Sequence, residues 1–346
     1  MHLIVPFAGT VSEAGRQALQ TLALPGLEKL LGRLSAGPVL GSDEYSLHMP
    51  HELALAQAWG WPAAGAAAGA DADAGADAAA AAGDAGHATL ALPFAARCAA
   101  ALQLPEAHSA AWAQLTPVHL DVSSEGISLA NPQALLLDEA ASRELLAIVR
   151  PLFESEGFAL HWAAPLQWLA THPSFDGLTS ASLDRVTGRN LAPWLPDQRA
   201  ARLVRRLQNE VQMVLYTHAV NDRREAAGLP SVNSFWLSGC GRLPAGAQAI
   251  SSPAGSSTGC NSPTAPQVDD RLRGPALAED WAGWCEAWRA LDAGPIQALL
   301  QSREPAALTL CGERLAQPWT SLPRSWWQQL AANWRKPALH SVLEAL

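Results

Sequence analysis

The sequence predicts an α/β fold with a mainly parallel central sheet, and three observations carry that prediction. Short apolar segments bounded by turn residues alternate with longer amphipathic ones along the chain, the pattern of strands joined by crossover helices. Residues 196–216 place Val204, Leu207, Val211 and Val214 at spacings of three and four, which gives one apolar helical stripe. The apolar run Ser234-Phe235-Trp236-Leu237 passes directly into Ser238-Gly239-Cys240-Gly241, and a strand end that opens into small residues is where open α/β sheets place their ligand crevices.

In chain order the strand segments are Leu3–Phe7, Leu115–Leu120, Ala159–Trp162, Ser234–Leu237 and Ala307–Cys311, each short, apolar and turn-bounded. Helical segments are Leu27–Leu34, Glu52–Trp59, Leu135–Glu156, Pro196–Tyr216, Leu277–Ala293 and Arg324–Trp334. On the fourth, Arg199, Arg202 and Arg206 share a second face, read as solvated, with phosphate binding as the alternative. Trp281, Trp284 and Trp288 fall at i, i+3 and i+7 and read as a core-facing stripe. Trp326, Trp327 and Trp334 suggest a second packing cluster. Residues 63–86 are Ala, Gly and Asp only and lack any packable face, so a disordered insertion is expected there. Residues 245–267 read as a flexible Ser/Pro/Gly loop, and the whole of 1–346 as a single α/β domain without internal repeats.

Composition narrows the function classes. A net charge of −9 over 346 residues argues against a general nucleic-acid or anionic-membrane surface. The five cysteines form no CxxC pair, so neither a zinc ribbon nor a redox motif is expected. No basic leader precedes the first strand and no long uninterrupted span of large apolar residues occurs, so the expected location is cytoplasmic, with reduced thiols.

The most distinctive phrase is Thr217–Pro244, THAVNDRREAAGLPSVNSFWLSGCGRLP. It resembles the His-Pro-Val-Asn, Arg, Gly, Pro-x-Asn, then Trp/Arg-Gly-x-Gly run of archaeal-type, cofactor-independent phosphoglycerate mutases of the alkaline phosphatase superfamily. The likeness continues in Leu24-Pro25-Gly26-Leu27-Glu28-Lys29-Leu30-Leu31, in Gly41-Ser42-Asp43 and in Trp59-Gly60-Trp61-Pro62. The resemblance implies a three-layer alkaline-phosphatase-like core, here reduced, with Ser42 in the nucleophile slot. That chemistry uses two divalent ions (Mn2+, Mg2+ or Zn2+) to activate the serine and clamp the reacting oxygens. This chain departs from the family's ligand pattern. Pro6 stands where the first Asp ligand belongs, and Gly312-Glu313 follows Ala307–Cys311 where Asp-His is expected. After Gly241 only His340 remains of the histidines, so no metal cofactor is expected.

Other chemistry-bearing residues have bland alternatives. His48-Met49-Pro50-His51-Glu52 has H-x-x-H spacing, but Pro50 marks a helix start, where Glu52 favours the positive end. His218, Asn221 and Asp222 read as a helix C-terminal cap and turn. Gly239-Cys240-Gly241 completes no dinucleotide fingerprint, and Cys240 lacks an identifiable base.

A narrower resemblance covers most of the chain. His48–Glu52, Thr116–Leu120, Leu207–Met213, Val232–Gly239 and Leu308–Glu313 are similar to phrases of the RpfE-type regulatory proteins of proteobacteria. It implies a regulatory or binding protein on a degenerate mutase scaffold, with an active phosphoglycerate mutase or phosphatase using Ser42 as the alternative. The expected ligand is a phosphorylated metabolite or a partner protein. The residues expected around it are Asp43, His48, His51, His218, Asn221, Arg223, Asn233, Gly239 and Gly241.

Overall fold

A computed structural model describes residues 1–41, 45–61, 91–124, 126–195, 201–244, 266–302, 304–321 and 338–346. The strands are β1 (His2–Val5), β2 (Ser35–Ala36), β3 (Leu40–Gly41), β4 (Trp112–Val118), β5 (Leu120–Ser123), β6 (Gly126–Leu129), β7 (Ala159–Ala164), β8 (Gln167–Thr171), β9 (Ser234–Gly241), β10 (Gln267–Val268), β11 (Ala307–Cys311) and β12 (Leu315–Thr320). The helices are α1 (Glu13–Gln20), α2 (Pro25–Arg33), α3 (Pro50–Ala58), α4 (Phe94–Ala101), α5 (Glu139–Glu154), α6 (Leu183–Val186), α7 (Ala201–Tyr216), α8 (Ala219–Ala226), α9 (Arg273–Leu277), α10 (Trp281–Leu291), α11 (Gln297–Gln301) and α12 (Leu339–Glu344). These elements group into two compact units, one formed by Met1–Ala58 with Ile250–Leu346, the other by Trp59–Ala249.

The first unit holds a mixed sheet in the order β10-β1-β11-β12-β2, with β3 also paired to β12. Strand β1 runs parallel to β10 and β11, and the ladders of β12 are antiparallel. The expected mainly parallel sheet is met only in part: β10, β1 and β11 run parallel, and the remaining ladders of the sheet are antiparallel. Only two residues, Glu313 and Arg314, lie between Gly312 and β12, too few for a crossover, so the chain there must turn back antiparallel. Leu3 and Val5 join Leu308 and Leu310 in a core with Leu27, Leu30 and Leu31 of α2 and Trp284 and Trp288 of α10. Ile4, on the opposite face, is fully buried too, as befits a strand covered on both sides. The tryptophan stripe faces this core: Trp284 and Trp288 meet edge to face at 6.1 Å. Pro295 lacks the N–H that an α-helix needs, and Asp292–Ile296 passes it as a single π-helical turn between α10 and α11.

The second unit is built on an antiparallel sheet, β7-β8-β4-β9. Side chains alternate across it. Ala113 and Leu115 of β4, with Phe235 and Leu237 of β9, face α5 and α7, while Trp112 and Leu169 pack on Ala95, Ala96 and Ala99 of α4. On α7 the expected stripe is buried at Val204, Leu207 and Val211, and Arg206 reaches Glu156 and Glu210 on the solvent side. Asp138 ends the coil before α5 by accepting from Ala141 N at 2.7 Å, so that helix starts later than Leu135.

Three local expectations are corrected here. Ser238–Gly241 is the end of β9, not a loop beyond it. The register steps from Gln114↔Ser238 to Trp112↔Gly241, so Gly239 and Cys240 of β9 oppose Ala113 of β4 in a bulge, with Gly239 at φ +64. His218 caps the start of α8 rather than closing α7; its Nδ1 accepts from Val220 N at 3.2 Å. Gln267, expected in a flexible loop, pairs with Leu3 as part of β10. The expected insertion at 63–86, residues 245–265 of the expected loop, and the Arg324–Trp334 helix with its tryptophans lie outside the described residues. Among those described, no helix is long and apolar enough to cross a membrane.

Candidate functional site

The carboxyl ends of β1 and β11 are where the mutase resemblance would place metal-bound chemistry. Ala8 N donates to Cys311 O at 2.7 Å, tying the two strand ends together. Trp284 Nε1 donates to Phe7 O at 2.9 Å. Leu343 of α12 and Leu346 are buried against this edge. A Cβ on Gly312 would come within 2.6 Å of Leu346, and one on Gly9 would strike the Leu343 carbonyl. Leu346 O accepts from Leu315 N at 2.8 Å. Asp269, following β10, is engaged by Arg271 through its backbone N–H and, at 3.1 Å, its guanidinium. The strand ends are packed with apolar side chains and backbone. No group of three or more His, Cys, Asp or Glu among the described residues is placed to hold a metal ion, so these residues do not fit the two-ion centre of the family.

The residues expected at a site have the following places. Ser42 and Asp43 lie outside the described residues, just beyond β3. His48 and His51 sit at the start of α3, where Glu52 Oε2 accepts from Met49 N at 2.8 Å as half of a capping box. His48 Nδ1 stands 3.9 Å from Glu52, and the His51 ring lies 5.7 Å from that of Phe7. Asn221 is buried; its amide donates to Leu215 O and Val232 O and accepts from Val232 N. Asn233 bonds both backbone groups of Leu120. Arg223 pairs with Glu144 at 2.5 Å on the surface. His218, Asn221 and Asn233 therefore order the chain around α8 and β9, and do not converge on a common space.

Gly241 does border an open space. A cleft of about 270 Å3 beside it is lined by Trp61, Leu92, Pro93, Asp176, Gly177, Arg242 and Pro244. Arg242 Nε donates to Asp176 at 2.8 Å, and another of its nitrogens donates to Ser109 O. Behind the cleft, Trp59, Trp61 and Phe94 form an aromatic cluster with centroids 5.1–5.8 Å apart. The buried Arg97 guanidinium lies 3.7 Å above Trp59, a cation–π contact. The bulge at Gly239 lets α4 approach: a Cβ there would stand 3.1 Å from Ala95 N. Trp61 and Arg242 each lie in phrases singled out from the sequence. Asp176 comes from a distant turn that carries no sequence signal.

Two further constellations carry no nucleophile. Cys240 is buried beside Ser180, and burial pushes its thiol up to about 12; burial also raises Cys311 far above the usual range. Neither supplies a thiolate at neutral pH. Ser231, His119 and Asp121 are in contact, with Ser231 Oγ 3.2 Å from His119 Nδ1 and Asp121 Oδ1 3.1 Å from Nε2. Nδ1 is closer, at 2.8 Å, to the Ser231 carbonyl. A ring nitrogen facing a carbonyl must carry the proton, so it is not available to accept one from the hydroxyl.

No protein-family model matches the chain, and no curated protein matches its sequence. Among solved structures it is similar to a cofactor-independent phosphoglycerate mutase from Thermoplasma acidophilum, with 12% identity, a TM-score of 0.34 and coverage of 94% of this chain and 91% of that one. It is also similar to the PH0037 protein of Pyrococcus horikoshii, with 12% identity, a TM-score of 0.43 and coverage of 92% and 86%. Likeness of this depth carries no argument about activity.

Proposed function

We propose that this chain is a regulatory or binding protein whose scaffold is a degenerate relative of the phosphoglycerate mutases, without metal-dependent mutase activity. The observation that supports this most is the packed carboxyl edge of β1 and β11. Phe7, Leu343 and Leu346 are buried where ligands and substrate would have to enter. Apolar side chains offer no oxygen or nitrogen to a divalent ion, and desolvating the ion among them would be costly. The RpfE-type assignment rests on the sequence phrases alone. The open space favours the other unit, at the end of β9, as the place where a small ligand is held. Concave sites with an apolar lining and a few polar groups are the usual form of such sites.

The test is an assay of the purified chain on 3-phosphoglycerate and on a generic phosphoester, with Mn2+, Mg2+ or Zn2+ supplied. No turnover is expected with any of the three. Metal-dependent turnover that disappears in Ser42→Ala would overturn the proposal.

A further inference from the structure

We infer that the cleft beside Gly241 takes a small zwitterion with an apolar substituent, that is, a free α-amino acid with an apolar side chain. The inference rests on the binding-protein reading above and names the ligand class of that site. Three features of the cleft point to it.

First, the walls contributed by Trp61, Leu92, Pro93 and Pro244 are apolar, and the volume of about 270 Å3 suits a small metabolite. Second, the charged groups that line it among the described residues are one of each sign and adjacent, Arg242 and Asp176, with Nε and Oδ2 2.8 Å apart. A phosphate monoester carries about −1.5 to −2 charges at neutral pH. It would meet a single cation already neutralised by a carboxylate, so Asp176 disfavours it. A zwitterion engages both: its carboxylate meets Arg242 and its ammonium meets Asp176. Arg242 spends two nitrogens on Asp176 and Ser109, and its third has no partner among the described residues. Third, Trp61 is only 6% exposed, and its indole N–H has no acceptor among the described residues. A buried donor without a partner is costly, and a ligand carboxylate would supply the missing acceptor.

Titration calorimetry on the full chain tests this with L-leucine, L-phenylalanine, their N-acetyl and amide derivatives, and 3-phosphoglycerate. Saturable binding of the free amino acids is expected, with each derivative weaker by about tenfold or more, since each lacks one of the two charges. Asp176→Asn should remove the discrimination against the N-acetyl form, and Arg242→Gln that against the amide. Trp61→Phe keeps the ring and loses the N–H; it should weaken binding while thermal melting shows the fold retained. The inference is overturned if no free amino acid binds at millimolar concentration, or if the derivatives bind equally well. Binding of 3-phosphoglycerate alone would overturn the ligand class and leave the binding-protein reading standing. Turnover of it with added metal would instead overturn that reading.

Discussion

Asp292 caps helix α2 at Leu27, accepting from Leu27 N at 2.6 Å and from Gly26 N at 3.0 Å across more than 260 residues of sequence. The carboxylate is buried in the π-helical turn and stands in for the missing side-chain cap, since Leu24 at the N-cap position offers none. Two orphan helix donors are thereby satisfied, and the negative charge faces the positive end of the helix dipole.

Replacing Asp292 with Ala should therefore cost about 1–3 kcal/mol, through a lost cap and two unsatisfied buried amides. Asp292→Asn keeps one acceptor and should lose less. Urea denaturation of both variants checks the order. Gly26→Ala sharpens the test, because Ala ordinarily favours a helix by about 1 kcal/mol over Gly. Here the added Cβ would lie 2.7 Å from Asp292 Oδ1 and 2.6 Å from Gln297 Nε2, so destabilisation is expected.

Ser142 is the hub of the second unit's polar core. Its hydroxyl donates to Pro165 O at 2.7 Å and accepts from the indoles of Trp162 and Trp168 at 3.1 and 3.0 Å. Ser142→Ala leaves both indole donors without that acceptor and should cost about 1–3 kcal/mol. Equilibrium unfolding followed by tryptophan fluorescence would register the loss; a change within a few tenths of a kcal/mol would contradict the hub role.

Gly239 holds the β9 bulge at φ +64, with α4 close behind it. A Cβ at this left-handed position costs about 1–2 kcal/mol by itself, and Ala95 N at 3.1 Å adds crowding. Gly239→Ala should lower the thermal midpoint. Gly177→Ala shares the positive φ but meets nothing within 4 Å, so it should lower the midpoint less. Differential scanning calorimetry on the pair separates backbone strain from crowding.

Stability should fall on mild acidification. Burial lowers the imidazole pKa of His172 and His161, in the latter helped by Arg150, below the ordinary 6.5. His172 Nδ1 accepts from Ser174 N and its ring stacks on Phe158 at 4.0 Å, which suits the neutral form. The unfolded chain then binds protons that the folded chain does not, so stability is full above about pH 6.5 and declines as pH falls from there toward the folded values. Denaturant midpoints at about pH 7.5 and about pH 5.5 should show the drop. His172→Asn, which can still cap through its side-chain oxygen, should flatten it.

Much of the fold was legible where local pattern and burial agree. Ala307–Cys311 forms the strand its apolar run specifies, and Val204, Leu207 and Val211 are buried as their spacing requires. Helix α8 was not legible, because Val220, Asn221 and Arg224 are the side chains it buries and two of them are polar. Their desolvation is offset by backbone partners at Leu215, Val232, Pro230 and Leu135, which the sequence does not reveal. The glycines of β9 read as a terminator because a bulge and a loop use the same residue. Of the residues expected at a site, Gly241 borders the cleft; Asn221 and Asn233 are taken up in backbone bonding, since a short amide can mimic a missing strand or turn partner.

By itself the sequence determined the α/β class and the core faces of α7 and α10, consequences of side-chain chemistry and short-range period. Tertiary structure alone decided strand direction and neighbours, the packing of Leu343 and Leu346 against Gly9 and Gly312, and the meeting of Trp61, Asp176 and Arg242 around one cleft. Those depend on which distant surfaces exclude water together, and hydrophobic burial is non-directional, so no local pattern encodes them.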